Sequence, residues 1–285
     1  IRTLRIVMQN PQFSLQLTNE NYNTIQLTKN LKELSTGIFV AISPNVNWHN
    51  PSNIAQFKHP FNRTFKQVHM STTVSDVGLL PNYIKSQNLT GGVAVLTLDH
   101  WASKVQKTYS DPRGHGTYTI TMLQGKNGKC LSIIGAYISV IKGSKVGVNT
   151  LHSQQVYIME KDMMKTNRSP HNQKCPRKEA IKALSTIIED LQAQDHAIVL
   201  MIDANQTPLE CHNSSGIKVH TIEWLRLEHG LDDPFIVLQG SRPDSTTTTP
   251  HRDIDYILTY GLQPQHVTLL PVDFPSNSDH RGICL

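Results

Sequence analysis

Three apolar runs of this chain end in side chains able to do acid, base or metal chemistry. Ile198-Val199-Leu200-Met201-Ile202 runs into Asp203-Ala204-Asn205. Asp253-Ile254-Asp255-Tyr256-Ile257-Leu258 sets a carboxylate inside an apolar pattern. The closing stretch, Ser278-Asp279-His280-Arg281-Gly282-Ile283-Cys284-Leu285, puts an Asp-His pair just before another apolar run. Hydrolysis of a phosphodiester needs a hard cation, an oriented water and stabilised charge on the phosphoryl oxygens. Carboxylates, an amide and an imidazole at strand ends are parts of such a site.

Each residue also has a plainer reading. Asp and Asn are common where strands turn, so Asp-x-Asn alone says little. Its chemical reading is that Asp203 orients or polarises the attacking water while the Asn205 amide holds a phosphate oxygen. A buried Asp255 needs a partner. His280 is one, because a carboxylate fixes the imidazole tautomer and stabilises its protonated form. A structural ion pair with Arg252 is the other. Asp279 suits metal binding or orientation of the nucleophile, and His280 suits phosphate stabilisation or proton transfer. Asn10 and Tyr137 could complete the pocket, the tyrosine by hydrogen-bonding a phosphate oxygen. Taken singly, both fit a turn or core role better.

Strands must position these groups. Residues 4–8, 37–42, 65–71, 91–98, 117–123, 130–140, 196–202, 253–260, 266–270 and 282–285 read as strands. The stretch 124–129 carries an Asn-Gly hairpin signal, so 91–140 reads as an antiparallel meander. Helices are expected over 23–34, 149–165, 177–193 and 218–229, with 45–59 as polar loop. The third helix has the clearest stripe, Ala180, Ile181, Leu184, Ile187, Ile188 and Leu191, following Pro176. Strands outnumber helices, which favours two packed sheets with helices on the outer faces. The whole chain, 1–285, reads as one domain.

Of the 285 residues, 38% are hydrophobic and 17% charged, so a globular core is feasible and whole-chain disorder is excluded. The formal charge of +5 suits a polyanionic partner and equally suits ordinary solubility. Cys130, Cys175, Cys211 and Cys284 form no CxxC pair, which argues for free thiols in a reducing compartment and against structural zinc. No secretory signal and no apolar run of membrane-spanning length is visible. An intracellular location, nuclear or cytoplasmic, with no membrane partner is therefore expected. The chain starts without Met inside a strand pattern and stops inside another, as an excerpt of a longer polyprotein would.

The ordered set Asn10, Tyr137, Asp203-x-Asn205, Asp255 and Asp279-His280 resembles the endonuclease/exonuclease/phosphatase superfamily. More closely, the chain resembles the endonuclease domain of non-LTR-type retroelements. That likeness rests on Gly91-Gly92-Val93-Ala94, Asp111-Pro112-Arg113-Gly114-His115-Gly116, Gly125-Lys126-Asn127-Gly128-Lys129, Ile202-Asp203-Ala204-Asn205, Ile254-Asp255-Tyr256-Ile257 and Ser278-Asp279-His280-Arg281-Gly282. The resemblance implies a four-layer α-β-β-α sandwich of two mostly antiparallel sheets. It implies Mg²⁺ (or Mn²⁺) held near Asn10 and Asp279, and a catalytic set of Tyr137, Asp203, Asn205, Asp255 and His280. It implies DNA as partner, nicked to prime reverse transcription, and a covalently linked reverse transcriptase downstream.

One departure matters. The family places a metal-binding Glu at the end of the second core strand, where this chain has Ser43. A hydroxyl supplies no charge to a hard cation, so the chain reads as an enzyme or as its decayed copy. Gln206 stands where relatives often have Glu, and Asp253 where they tend to have Arg, a role Arg252 could take. Arg113 and Arg281 are candidate substrate-binding residues, with Lys126, Lys129 and Arg177 as further basic candidates. Trp48 and Trp101 fit the core better than base stacking. The alternatives are a same-fold hydrolase of lipid or inositol phosphates, and a non-catalytic nucleic-acid-binding domain.

Overall fold

A computed structural model describes residues 3–11, 22–125, 128–140, 150–165, 175–249, 251–276 and 278–285. The first half holds β1 (Ile6–Gln9), α1 (Tyr22–Glu33), β2 (Ile38–Ile42), α2 (Pro51–Thr64), β3 (Val68–Thr73), β4 (Val93–Leu98), β5 (Val105–Ser110), β6 (Tyr118–Gln124) and β7 (Cys130–Tyr137). The second holds α3 (Leu151–Lys165), α4 (Pro176–Ala193), β8 (His196–Asp203), β9 (His212–Asn213), β10 (Gly216–Ile217), α5 (Ile222–Glu228), α6 (Pro234–Gln239), β11 (Asp255–Tyr260), β12 (Thr268–Leu269) and β13 (Ile283–Cys284). One sheet runs β12-β13-β1-β2-β4-β3 and the other β11-β8-β7-β6-β5, with β9 and β10 as a separate hairpin. Both sheets are antiparallel except at β1–β2 and β7–β8, which are parallel.

Strand parity sorts the apolar residues into layers, because alternate side chains leave opposite faces of a strand. Ile6, Met8, Ile38, Val40, Ile42, Val93 and Val95 meet Ile133, Val199, Met201 and Ile257 between the sheets. The opposite faces bury against helices. Val7, Phe39, Leu96 and Leu98 pack on Leu27 and Leu31 of α1 and on Phe57 and Phe61 of α2. Ile134, Leu200, Ile202 and Leu258 pack on Ile181, Leu184 and Ile188 of α4 and on Leu225 of α5. The result is the expected α-β-β-α sandwich. Gly135 sits where the sheets approach closely: a Cβ there would lie 2.8 Å from Val93 and 2.9 Å from Val40.

Three expectations about elements are corrected. Residues 45–59 are not loop throughout, because α2 begins at Pro51 behind an Asn50 cap that accepts from Ser52 N. Its polar surface hid a sparse stripe, Phe57 and Phe61. The segment 91–140 is no single meander: β4 belongs to one sheet and β5–β7 to the other. The helix expected over 218–229 is shorter, starting at a Thr221 cap. Lys126 and Asn127 at the tip of the expected hairpin, and Asn149 at the start of the third sheet-flanking helix, lie outside the described residues. No helix among the described residues is long and apolar enough to cross a membrane.

Candidate functional site

The site residues prolong the stripes that pack the two sheets together. Asp203 follows Val199 and Met201 at the end of β8, and Tyr137 follows Ile133 and Gly135 at the end of β7. Asp255 precedes Ile257 at the start of β11, and Asn10 follows Ile6 and Met8 of β1. Tyr137, Asp203 and Asp255 are direct neighbours across three adjacent strands. Their side chains therefore leave the same face of the sheet at the same edge. Asp279 and His280, just ahead of β13, arrive there from the other sheet.

Hydrogen bonds fix each group. The Asn10 amide donates to Asp203 Oδ2 at 2.8 Å, and the Asn205 backbone N–H donates to Asp203 Oδ1 at 2.9 Å. Asn205 Nδ2 donates to Ile138 O at 2.9 Å, with its own backbone left-handed at φ 47°. His280 Nδ1 donates to Asp255 Oδ2 at 2.8 Å, so His280 and not Arg252 is the aspartate's partner. Arg252 pairs with Glu210, while Arg242 clamps Asp253 and donates to the Asp255 carbonyl.

The electrostatics follow from this burial. Loss of hydration and the neighbouring Asp255 charge push the Asp203 carboxyl up to about 7, against the pull of His280, Asn10 and Asn205. Burial works against a charged His280, but the charge and hydrogen bond of Asp255 outweigh it and raise the imidazole to about 9. Burial and the Asp203 charge raise the Tyr137 phenol to about 12. At neutral pH the site thus holds a protonated imidazole and a neutral phenol beside a carboxyl whose protonated form is favoured by burial and by Asp255.

Several supporting residues gave no signal in the sequence. Thr246 Oγ1 donates to Asp255 Oδ2 at 2.7 Å and accepts from Asp255 N at 3.1 Å. Gln9 Nε2 donates to the carbonyls of Ser276 and His280, both at 3.0 Å. Ser278 Oγ donates to Asn10 O at 2.5 Å and accepts from His280 N at 3.0 Å. Thr246 lay in a run of threonines that resembled low complexity. Gln9 pointed nowhere without its partners, although Ser278 was visible as part of Ser-Asp-His.

Ser43 lies one residue past β2 in a turn clamped to the adjacent glycines: its N–H donates to Gly92 O at 2.8 Å, and Gly91 N–H donates to Asn45 Oδ1 at 2.8 Å. Ser43 and Asn45 both have left-handed backbones, φ 51° and 57°. The basic candidates are mostly engaged elsewhere. Arg113 forks onto Asp111 and donates to Glu179 O, so its expected substrate-binding role gives way to holding a loop. Arg281 donates through Nε to Leu270 O. Lys129 sits just before β7, roughly 26 Å along the strand from Tyr137 at ~3.3 Å per residue, and so does not line the site. Trp48 is buried, edge-on to Phe57, and Trp101 is half-buried beside Gly37.

No protein-family model and no curated protein matches this sequence. Solved structures do match it along its length. An AP endonuclease from Archaeoglobus fulgidus aligns at TM-score 0.59 and 13% identity, over 99% of this chain and 98% of its own. D. rerio TDP2, solved with a single-strand DNA product, aligns at 0.55 and 14%, over 99% and 97%. The endonuclease domain of TRAS1, a telomere-specific non-LTR retrotransposon, aligns at 0.51 and 11%, over 99% and 96%. The chain has the endonuclease/exonuclease/phosphatase fold. At such identities these likenesses establish the fold, and the chemistry rests on the side chains above.

The fold family implies a divalent cation, and the residues present can be tested against one. The ligand atoms of Asp203, Asp255 and His280 lie within 4.8 Å of one another; both Asp203 oxygens accept hydrogen bonds and Asp255 Oδ2 holds His280, while Asp255 Oδ1 is buried with no partner. Asp279 Oδ1 is likewise buried with no hydrogen-bond partner. With the oxygens of Asn10 and Ser43, the positions that the family resemblance assigns to the cation, it would offer hard oxygen donors and one carboxylate. That fits a Mg²⁺-like ion, which takes one or two carboxylates and completes its shell with water and phosphate.

Proposed function

We propose that this chain is a metal-dependent phosphodiester hydrolase acting on DNA, the target-nicking endonuclease of a retroelement. The observation that carries the reading is the register of Tyr137, Asp203 and Asp255 across three strands, closed from the other sheet by Asn10 and His280. Asp203, its basicity raised by burial and by the Asp255 charge, takes a proton from an attacking water held by its carboxylate. His280, kept charged by Asp255, faces the negative charge that builds on the phosphoryl group. The Asn205 amide, held on Ile138 O and against the Tyr137 phenol, would turn one hydrogen to a phosphate oxygen. Tyr137 donates its phenol hydrogen. Asn10, Asp279 and the Ser43 hydroxyl would hold the cation, which neutralises charge on the phosphoryl and leaving oxygens. A downstream reverse transcriptase and an intracellular setting belong to the same proposal.

Ser43 favours a second reading, a DNA-binding domain that has lost cleavage. A plasmid-nicking assay in Mg²⁺ separates the two. The wild-type chain is expected to nick weakly, and Ser43→Glu to raise the rate by at least tenfold, because a second carboxylate strengthens the cation site. DNA binding without nicking by either protein selects the binding domain. Phosphate release from inositol or lipid phosphates, with DNA left intact, would redirect the substrate class.

A further inference from the structure

Arg177 is turned onto backbone carbonyls. It is the second residue of α4, half-buried, and its guanidinium reaches two carbonyls. Nη1 donates to Ser139 O at 2.5 Å and Nη2 donates to Ala204 O at 3.0 Å. Ser139 follows Tyr137 by two residues on the extension of β7. Ala204 lies between Asp203 and Asn205 on the extension of β8. The last backbone rung joining those strands is Ile138 N–H to Asp203 O, at 2.9 Å. Beyond it the chains part, and the guanidinium spans them.

The placement is electrostatically unfavourable for a helix. The first turn carries the positive end of the helix dipole, where a cation is the wrong sign, and burial further disfavours the charge, lowering the Arg177 pKa. Such a cation persists where its hydrogen bonds outweigh both penalties. Its beneficiary is the Asn205 turn. Asn205 is left-handed, a conformation that asparagine adopts more readily than most residues and that its neighbours here hold in place. It is restrained by Asp203 Oδ1, by Ile138 O and, through the Ala204 carbonyl, by Arg177. Ser139 is anchored in turn, since its hydroxyl donates to Gln155 Oε1 at 3.0 Å.

We propose that Arg177 is a positioning residue that sets Asn205 and Asp203 against Tyr137 by bridging the two strand extensions. This rests on the hydrolytic reading for its catalytic consequence and on geometry alone for the bridge. A planar fork is required, because the compact ammonium of lysine cannot hold two divergent carbonyls in fixed geometry.

The test compares wild type, Arg177→Lys and Arg177→Ala, each also in the Ser43→Glu background. Hydrogen exchange of the Asn205 side-chain amide is followed by NMR beside backbone amides of central β8. In Arg177→Lys the Asn205 amide is expected to exchange about tenfold faster while Leu200 and Met201 stay protected, as local opening requires. Nicking kcat is expected to fall by ~10–100-fold with KM within twofold, the signature of lost orientation, and millimolar guanidinium to restore part of it in Arg177→Ala. Unchanged Asn205 exchange in Arg177→Lys, or equal loss of protection throughout β8, overturns the proposal. If neither wild type nor Ser43→Glu nicks DNA, the hydrolytic reading fails, and Asn205 exchange still decides whether Arg177 makes the bridge.

Discussion

His280 shows how a single hydrogen bond sets the state of a residue. Its ring is buried, which disfavours charge, yet Asp255 beside it raises the imidazole to about 9. The unfolded value is 6.5. A folded pKa above the unfolded one means that the pair stabilises the fold fully below about 6.5, and that this contribution is lost as pH rises through about 9. Asp255→Asn is expected to bring the His280 titration down toward its ordinary value and to flatten stability between those two pH values. NMR titration of the imidazole Cε1–H and urea melts across pH check it; an unchanged His280 midpoint would refute the pairing.

At the scale of elements, the two faces of each strand carry different burdens. Phe61 of α2 is fully buried and stacks between Phe39 and Phe65. Phe61→Ala is expected to cost about 3–5 kcal/mol from lost burial and the cavity left behind. The site lies in another layer, so the Asn205 and His280 NMR signals should stay in place. Gly135→Val is the converse case. Its side chain would meet Val93 and Val40 within 3 Å, and overpacking there should cost ~1–3 kcal/mol. It should also move the Tyr137 signals, since Tyr137 leaves the same face two residues on. Urea unfolding with aromatic NMR distinguishes them, and equal site disturbance by both variants would contradict the layering. These elements were unevenly legible. The stripe of α4 stood out in sequence, whereas α2 did not, because Asn53, His59, Pro60 and Asn62 dilute its apolar positions. The break between β4 and β5 was invisible, because chain neighbours usually pair and nothing local says that the next strand joins the other sheet.

For the whole molecule, the net charge of +5 bears on DNA affinity only through cations free to reach phosphate. Arg113 is not one of these: three of its nitrogens are engaged by Asp111 and Glu179. Burial opposes ionisation of Asp111, but the Arg113 fork and charge overcome it and hold the carboxyl below the usual range. Its ionised form therefore stabilises the fold above the unfolded carboxyl pKa, and the contribution is lost as pH falls through the depressed folded value. Arg113→Met is expected to leave the slope of log Kd against log salt unchanged while raising the midpoint pH of acid unfolding. Fluorescence anisotropy with salt titration, set beside circular dichroism at low pH, checks both arms. A slope reduced by about one would return Arg113 to the DNA interface.

The sequence by itself determined the chemistry on offer: which strands end in Asp, Asn, Tyr and His, and that a neutral Ser43 stands where the related motif has a carboxylate. Those are properties of residue order and strand period, and parity alone carries Asn10, Asp203 and Tyr137 onto the faces that pack the sheets. Only the tertiary structure decided the partners. It gave His280 rather than Arg252 to Asp255, Arg242 to Asp253, and set Arg113, a candidate substrate contact, and Arg177, one of the further basic candidates, on internal partners. Charged side chains are long, and each has many possible partners within reach. Which one it takes depends on distances between segments far apart in sequence, and those are set by the sheet pairing.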